Sequence, residues 1–180
     1  GAYAERKLAE RGVEIRVGAR VAGLDARGVA LADGTVIEAE ILVWTAGTAP
    51  HPLLRGLPCS KHGGRIVVNE YLEVPEWPGV WALGDCAAVP DVKGGQCPPT
   101  AQHAIRQGQV AARNVTAALR GGEKRRFVFG GLGQLAAIGR RTGVAKILGL
   151  MFSGFVAWWL WRTIYLLKLP RLEKKLRSEE

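Results

Sequence analysis

VWALGDCAAVPDVKGGQCPPTAQHAIRQG, Val80 to Gly108, joins a short apolar run ending in Gly84-Asp85 to a helix opening at Pro98-Pro99-Thr100. The run Val80 to Leu83 carries no polar side chain, which suits a strand in the middle of a sheet covered on both faces. Gly84-Asp85 is then expected at the carboxyl end of that strand, the edge where open α/β sheets bind nucleotides. An Asp85 carboxylate offers only acceptors, as sugar or ribityl hydroxyls require.

The helix is expected from Thr100 to Leu119, where Ala101, Ala104, Ile105, Gly108, Ala111 and Leu119 follow an i, i+3, i+4, i+7 pattern. Pro99 near its first turn is tolerated, because the missing N–H would have lacked a helical acceptor anyway. So many small residues on one face imply close approach to a sheet or a flat ligand, with Arg106, Gln109 and Arg113 on the opposite face. The N–H groups at Ala101, Gln102 and His103, at the positive end of the helix dipole, are placed to stabilise negative charge. Gln102 and His103 are mixed donors and acceptors able to bond a quinone carbonyl. For His103 a purely structural role stays open.

Upstream of this stretch, Ala2 to Arg11 reads as the end of a helix, with Gly12 as its stop. Val13 to Val17, Ala19 to Leu24, Gly28 to Leu31, Val36 to Glu38 and Ile41 to Trp44 read as strands, with Asp33-Gly34 as a hairpin turn. The run Ile41 to Trp44 ends at Thr45-Ala46-Gly47, where glycine permits close backbone approach to a ligand and also suits an ordinary turn. Pro50, Pro52 and Pro58 then mark the crossover between domains. Gly64 to Val68 and Tyr71 to Val74 read as a strand pair. The expected divisions are residues 1–49, 50–120 and 121–180.

Downstream, Ile147 to Trp161 is free of charge and bounded by Lys146 and Arg162. It falls short of the roughly 20 apolar residues of a spanning helix. Tryptophans beside basic residues suit a bilayer interface, so a helix lying on the membrane, with Phe155, Trp158, Trp159 and Trp161 in contact with lipid, is expected ahead of a spanning helix or a soluble core helix. The net charge of +9 over 180 residues is compatible with nucleic acid or an anionic membrane surface. Its concentration after Gly121, around the Trp-rich segment, points to the membrane and away from nucleic acid. Cys59, Cys86 and Cys97 form no C-x-x-C pair, so free thiols in a reducing compartment and no metal site are expected. No secretory signal opens the chain, and Gly1 reads as the middle of a longer sequence.

Taken together, Trp44-Thr45-Ala46-Gly47, Ala82-Leu83-Gly84-Asp85-Cys86-Ala87 and Pro98-Pro99-Thr100-Ala101-Gln102-His103-Ala104 resemble the type II NADH:quinone oxidoreductases, or alternative NADH dehydrogenases. The resemblance continues through Gly130 to Arg141 and through Phe152 to Trp158, Trp161-Arg162 and Tyr165-Leu166. It implies an α/β fold: part of a flavoprotein with two dinucleotide-binding, Rossmann-like domains and a membrane-associated helical tail. It also implies one FAD, oxidation of NADH and reduction of a membrane quinone without proton pumping. Gly84, Asp85 and the backbone of Ala101, Gln102 and His103 would then face FAD, with Ala46 and Gly47 near NADH. Gln102 would be the catalytic position lining the quinone site, and Arg141 a neighbour of the quinone headgroup, with a solvated surface arginine left open for Arg141. The implied location is peripheral, or monotopic, on the cytoplasmic face of the cell membrane, with homodimerisation left open.

The two G-x-G-x-x-G fingerprints of such a protein are absent from this sequence. The chain alone is therefore expected to be inactive, and the final amphipathic helix looks cut short after Arg177. Two rivals stand beside this reading. One is a sulfide:quinone oxidoreductase, which needs a redox pair of cysteines near the flavin. The other is a truncated, non-catalytic membrane-docking module.

Overall fold

A computed structural model describes residues 1–25, 28–92 and 94–168. It divides into two compact units, Gly1–Thr45 with the chain from Leu132 onward, and Ala46–Gly131.

The first unit opens with α1 (Ala2–Ala9), followed by an antiparallel meander of β1 (Val21–Asp25), β2 (Gly28–Leu31) and β3 (Val36–Glu38). The β2–β3 connection is the expected Asp33-Gly34 turn, closed by the Gly34 N–H on Leu31 O. The same unit carries a second antiparallel sheet, whose strands β7 (Gly133–Gly139), β8 (Thr142–Ile147) and β9 (Leu150–Ser153) lead directly into α3 (Gly154–Leu167). The helix crosses β8 at Gly143, where an added Cβ would lie 2.8 Å from the Trp158 backbone nitrogen. Only a glycine admits that approach, and it seats Ala157 in full burial. From the turn after α1, Arg11 reaches the β7–β8 end of this sheet, donating to Ile138 O and, at 3.1 Å, to Thr142 Oγ1.

In the second unit β4 (Lys61–His62) pairs antiparallel with β5 (Arg65–Val67), and β5 pairs in parallel with β6 (Ala87–Ala88). The helix α2 (Ala101–Arg120) follows, ended by Gly121 in the left-handed conformation at φ 69°. Leu54, Ile66, Val68, Leu72, Val74, Ala87, Val89, Ala111 and Phe127 form the core. Burying a side chain such as Leu72 or Val74 is worth about 1.5–3 kcal/mol. Leu72 adopts φ 69°, an unfavourable conformation for a residue with a Cβ. Its complete burial offsets that strain, while Asn69 Oδ1 holds the turn by accepting the Tyr71 and Glu73 N–H groups.

Several expected strands do not form. Val13 to Val17 and Ile41 to Trp44 have no ladder, and their large apolar side chains are exposed. A strand exists only through its partners, and neither segment has one among the described residues. Val80 to Leu83 is held by a single antiparallel bridge between Trp81 and Glu73, so the central strand expected there is replaced by a loop. Likewise β5 pairs with β4 and β6, while Tyr71 to Val74 is the irregular turn around Leu72. The charge-free run Ile147 to Trp161 is not one helix but a strand end, a turn, β9 and the first half of α3. The segment beyond Arg177 lies outside the described residues.

Candidate functional site

The loop after Val80 ends in a one-turn 3₁₀ segment, Gly84–Cys86, packed against the start of α2. Gly84 has φ 69°, a region glycine enters without strain, and a Cβ there would touch the Ala104 Cβ at 3.5 Å. Its N–H donates to Gln107 Oε1 at 2.7 Å, and Gln107 is buried. This bond ties the turn to the second turn of α2 and fixes where Asp85 stands. Asp85 is exposed, and its carboxylate forms no hydrogen bond or ion pair with the described residues.

At the mouth of α2, Thr100 is the N-cap in extended conformation. The Ala101 N–H donates to no described residue, whereas the His103 and Ala104 N–H groups both donate to Thr100 O at 3.0 Å. His103 therefore lacks the free N–H expected of it. Its ring is equally engaged: Nδ1 lies 2.7 Å from Thr100 Oγ1, and the imidazole meets Phe129 edge-on with centroids 4.9 Å apart. Burial holds its pKa below the usual imidazole range, Arg106 adds to that effect, and Asp91 opposes it. His103 is thus a buried, packing histidine.

Arg106 is not on a solvated face. Its guanidinium sits 4.2 Å from the Phe129 ring centroid and donates to Gln102 O at 3.0 Å, holding the helix mouth from the other side. Gln102 itself is half-buried.

The buried stripe of α2 is His103, Gln107, Ala111 and Asn114, with Ile105 and Leu119 exposed. The apolar pattern thus indicated the helix but misplaced its inward face. Asn114 is 0% exposed and donates from Nδ2 to Tyr71 O and Arg125 O, while its Oδ1 accepts the Arg125 N–H. The signal for both missed amides was polar residues at i, i+4 and i+11 on a helix, where buried amides serve backbone that no strand satisfies.

Gly84, Asp85, Ala101, Gln102 and His103 belong to the same unit. Ala46 and Gly47 open that unit and are exposed, with Gly47 at φ 100°. Arg141, Phe155, Trp158, Trp159 and Trp161 belong to the other unit. Arg141 stands exposed at φ 53° in the β7–β8 turn. All three cysteines are free; the Cys86 thiol points to Leu83 O and the Cys97 thiol to Pro90 O. Burial, with Asp91 nearby, pushes the Cys97 thiol pKa up.

This α/β architecture, with a glycine turn and a helix mouth joined at one edge, agrees with a match to the pyridine nucleotide-disulphide oxidoreductase family over residues 1–108, and the chain belongs to that family. Within it, the chain is 35% identical to the type II NADH:quinone oxidoreductase Ndh of Mycobacterium tuberculosis over 99% of its own length and 40% of that protein's. It is 31% identical to a mitochondrial internal alternative NAD(P)H-ubiquinone oxidoreductase of Solanum tuberosum, over 97% of this chain and 39% of the relative. The chain thus spans about two fifths of these relatives. In fold it is similar to NDH2 from Plasmodium falciparum, solved in complex with NADH, with a TM-score of 0.79 at 14% identity over 94% of this chain and 50% of that one.

Proposed function

We propose that the chain is part of a peripheral membrane flavoenzyme that oxidises NADH and reduces a membrane quinone without pumping protons. The observation that carries this reading is the Gln107–Gly84 bond, which sets an unengaged carboxylate at Asp85 beside a helix mouth with a free Ala101 N–H. The identity to quinone oxidoreductases along nearly the whole chain supports it.

These residues fit FAD. Asp85 is available to accept from ribityl hydroxyls, and the Ala101 N–H at the positive end of α2 is available to an electron-rich pyrimidine oxygen. FAD would supply the two-electron chemistry between nicotinamide and quinone. The protein groups bind and orient: Gly84 turns the chain, Gln107 fixes the turn, and His103 with Arg106 holds the helix mouth in shape. Gln102 is assigned to the quinone side, Arg141 to the headgroup, and Ala46 and Gly47 to the vicinity of NADH. On this reading residues 1–49 are from the NADH domain, 50–120 from the FAD domain and 121–180 from the quinone and membrane region.

Membrane attachment is assigned to α3. Phe155 and Trp159 are exposed, Trp158 and Trp161 half-buried, and Arg162 and Lys168 stack near Trp158 and Tyr165 at 5.7 and 5.6 Å. No helix among the described residues is long and apolar enough to cross a membrane. We assign attachment to the membrane interface, and propose the cytoplasmic face as its side.

The reading is tested with the full-length protein by measuring bound FAD and NADH-dependent quinone reduction together. Gln102→Ala should slow quinone turnover more than flavin reduction by NADH. Equal loss in both half-reactions would remove Gln102 from the quinone role, and sulfide-dependent reduction without NADH activity would overturn the assignment.

A further inference from the structure

Two leucines, Leu72 and Leu148, have left-handed backbones, at φ 69° and 49°. The first is wholly buried, but Leu148 is 81% exposed, so no packing offsets its strain. Leu148-Gly149 is the two-residue loop closing the Ile147 and Leu150 pair, with φ positive at both positions. Such a type I′ turn favours Asn, Asp or Gly first. For folding alone, leucine is a poor choice there.

Its neighbours repeat the pattern. Leu150 and Met151 are adjacent on β9 and therefore project to opposite faces, yet they are 65% and 84% exposed. The helix α3 thus covers neither face at this end of the sheet. Leu148 N–H reaches Leu132 O at 3.4 Å, which adds Leu132, also exposed, to the same end.

The charge along this part of the chain has one sign. Lys146 is the cross-strand partner of Met151 and is exposed. From Lys124 to Lys168 the sequence contains no Asp or Glu. A second copy docking here would bring like charges together. An anionic lipid surface instead lets apolar side chains enter the acyl region while Lys146 stays among the headgroups.

We propose that the β8–β9 turn, with Leu132, Leu148, Leu150 and Met151 at its tip, is a second insertion point into an anionic bilayer, separate from the aromatic face of α3. It rests on the membrane reading above and names the element that enters the lipid.

The test uses the full chain with vesicles of phosphatidylcholine containing phosphatidylglycerol, and with phosphatidylcholine alone. Leu148→Asn combined with Met151→Ser should leave Tm equal or higher, since asparagine suits the turn, while binding to the anionic vesicles falls about tenfold or more. Equal wild-type binding to both vesicle types would overturn the anionic part. Unchanged binding of the variant, with the wild type bound, would overturn insertion of the tip and leave docking through α3 standing. A wild type that binds neither vesicle would overturn the membrane reading itself. A drop in Tm alongside lost binding would assign these side chains to packing and overturn the proposal. So would a lipid-free dimer that the variant dissociates while vesicle binding persists.

Discussion

The Gln107 side-chain oxygen accepts the Gly84 N–H at 2.7 Å, across 23 residues of sequence, and is the direct link between the Gly84-Asp85 turn and α2. Gln107→Leu keeps the bulk but leaves that N–H without its acceptor. A loss of about 1–3 kcal/mol is expected, read as a lower urea midpoint at unchanged slope. An unaltered midpoint would show that the turn holds its place without the bond.

Asn114 makes three hydrogen bonds to main-chain groups of Tyr71 and Arg125 from a fully buried position. Asn114→Ala strips partners from two carbonyls and one N–H and opens a small void. Destabilisation of about 3 kcal/mol is expected by chemical denaturation. A change below about 1 kcal/mol would mean that water or relaxed backbone replaces the amide.

Stability should depend on pH through His103. Burial depresses its folded-state pKa, so the unfolded chain binds the proton more readily. The stabilisation is therefore fully present above the unfolded value of about 6.5 and is lost as pH falls through and below it. His103→Asn should flatten the stability profile between about pH 7 and pH 5 relative to wild type. Parallel profiles would remove this imidazole as the source of the slope.

Gly139, at φ 152°, leaves the space that the Arg11 guanidinium occupies, and a Cβ there would overlap it. Gly139→Ala should destabilise the chain, and less so when Arg11 is already Ala. The double-mutant cycle should give a coupling of about 1 kcal/mol. Additive losses would show that backbone strain at Gly139 is the whole effect.

Much of the fold was legible locally. The Asp33-Gly34 hairpin and the α2 helix follow from turn chemistry and periodicity, which act over a few residues. The site was legible in part: Gly84, Asp85 and the opening of α2 were marked by sequence and do meet. Which side of α2 faces inward was not. Apolar spacing favoured Ile105 and Leu119, but the space beside the helix is lined by backbone of Gly84, Tyr71 and Arg125 that finds its partners in side-chain amides of α2.

The sequence by itself determined the class of protein, through short motifs whose chemistry is local. Only the tertiary structure decided that Gln107 and Asn114 are buried while Leu148 and Met151 are not. A polar side chain goes inside when distant backbone needs its hydrogen bonds, and an apolar one stays outside when no element of its own unit covers it. Both depend on what the fold brings alongside, which residue spacing along one chain does not encode.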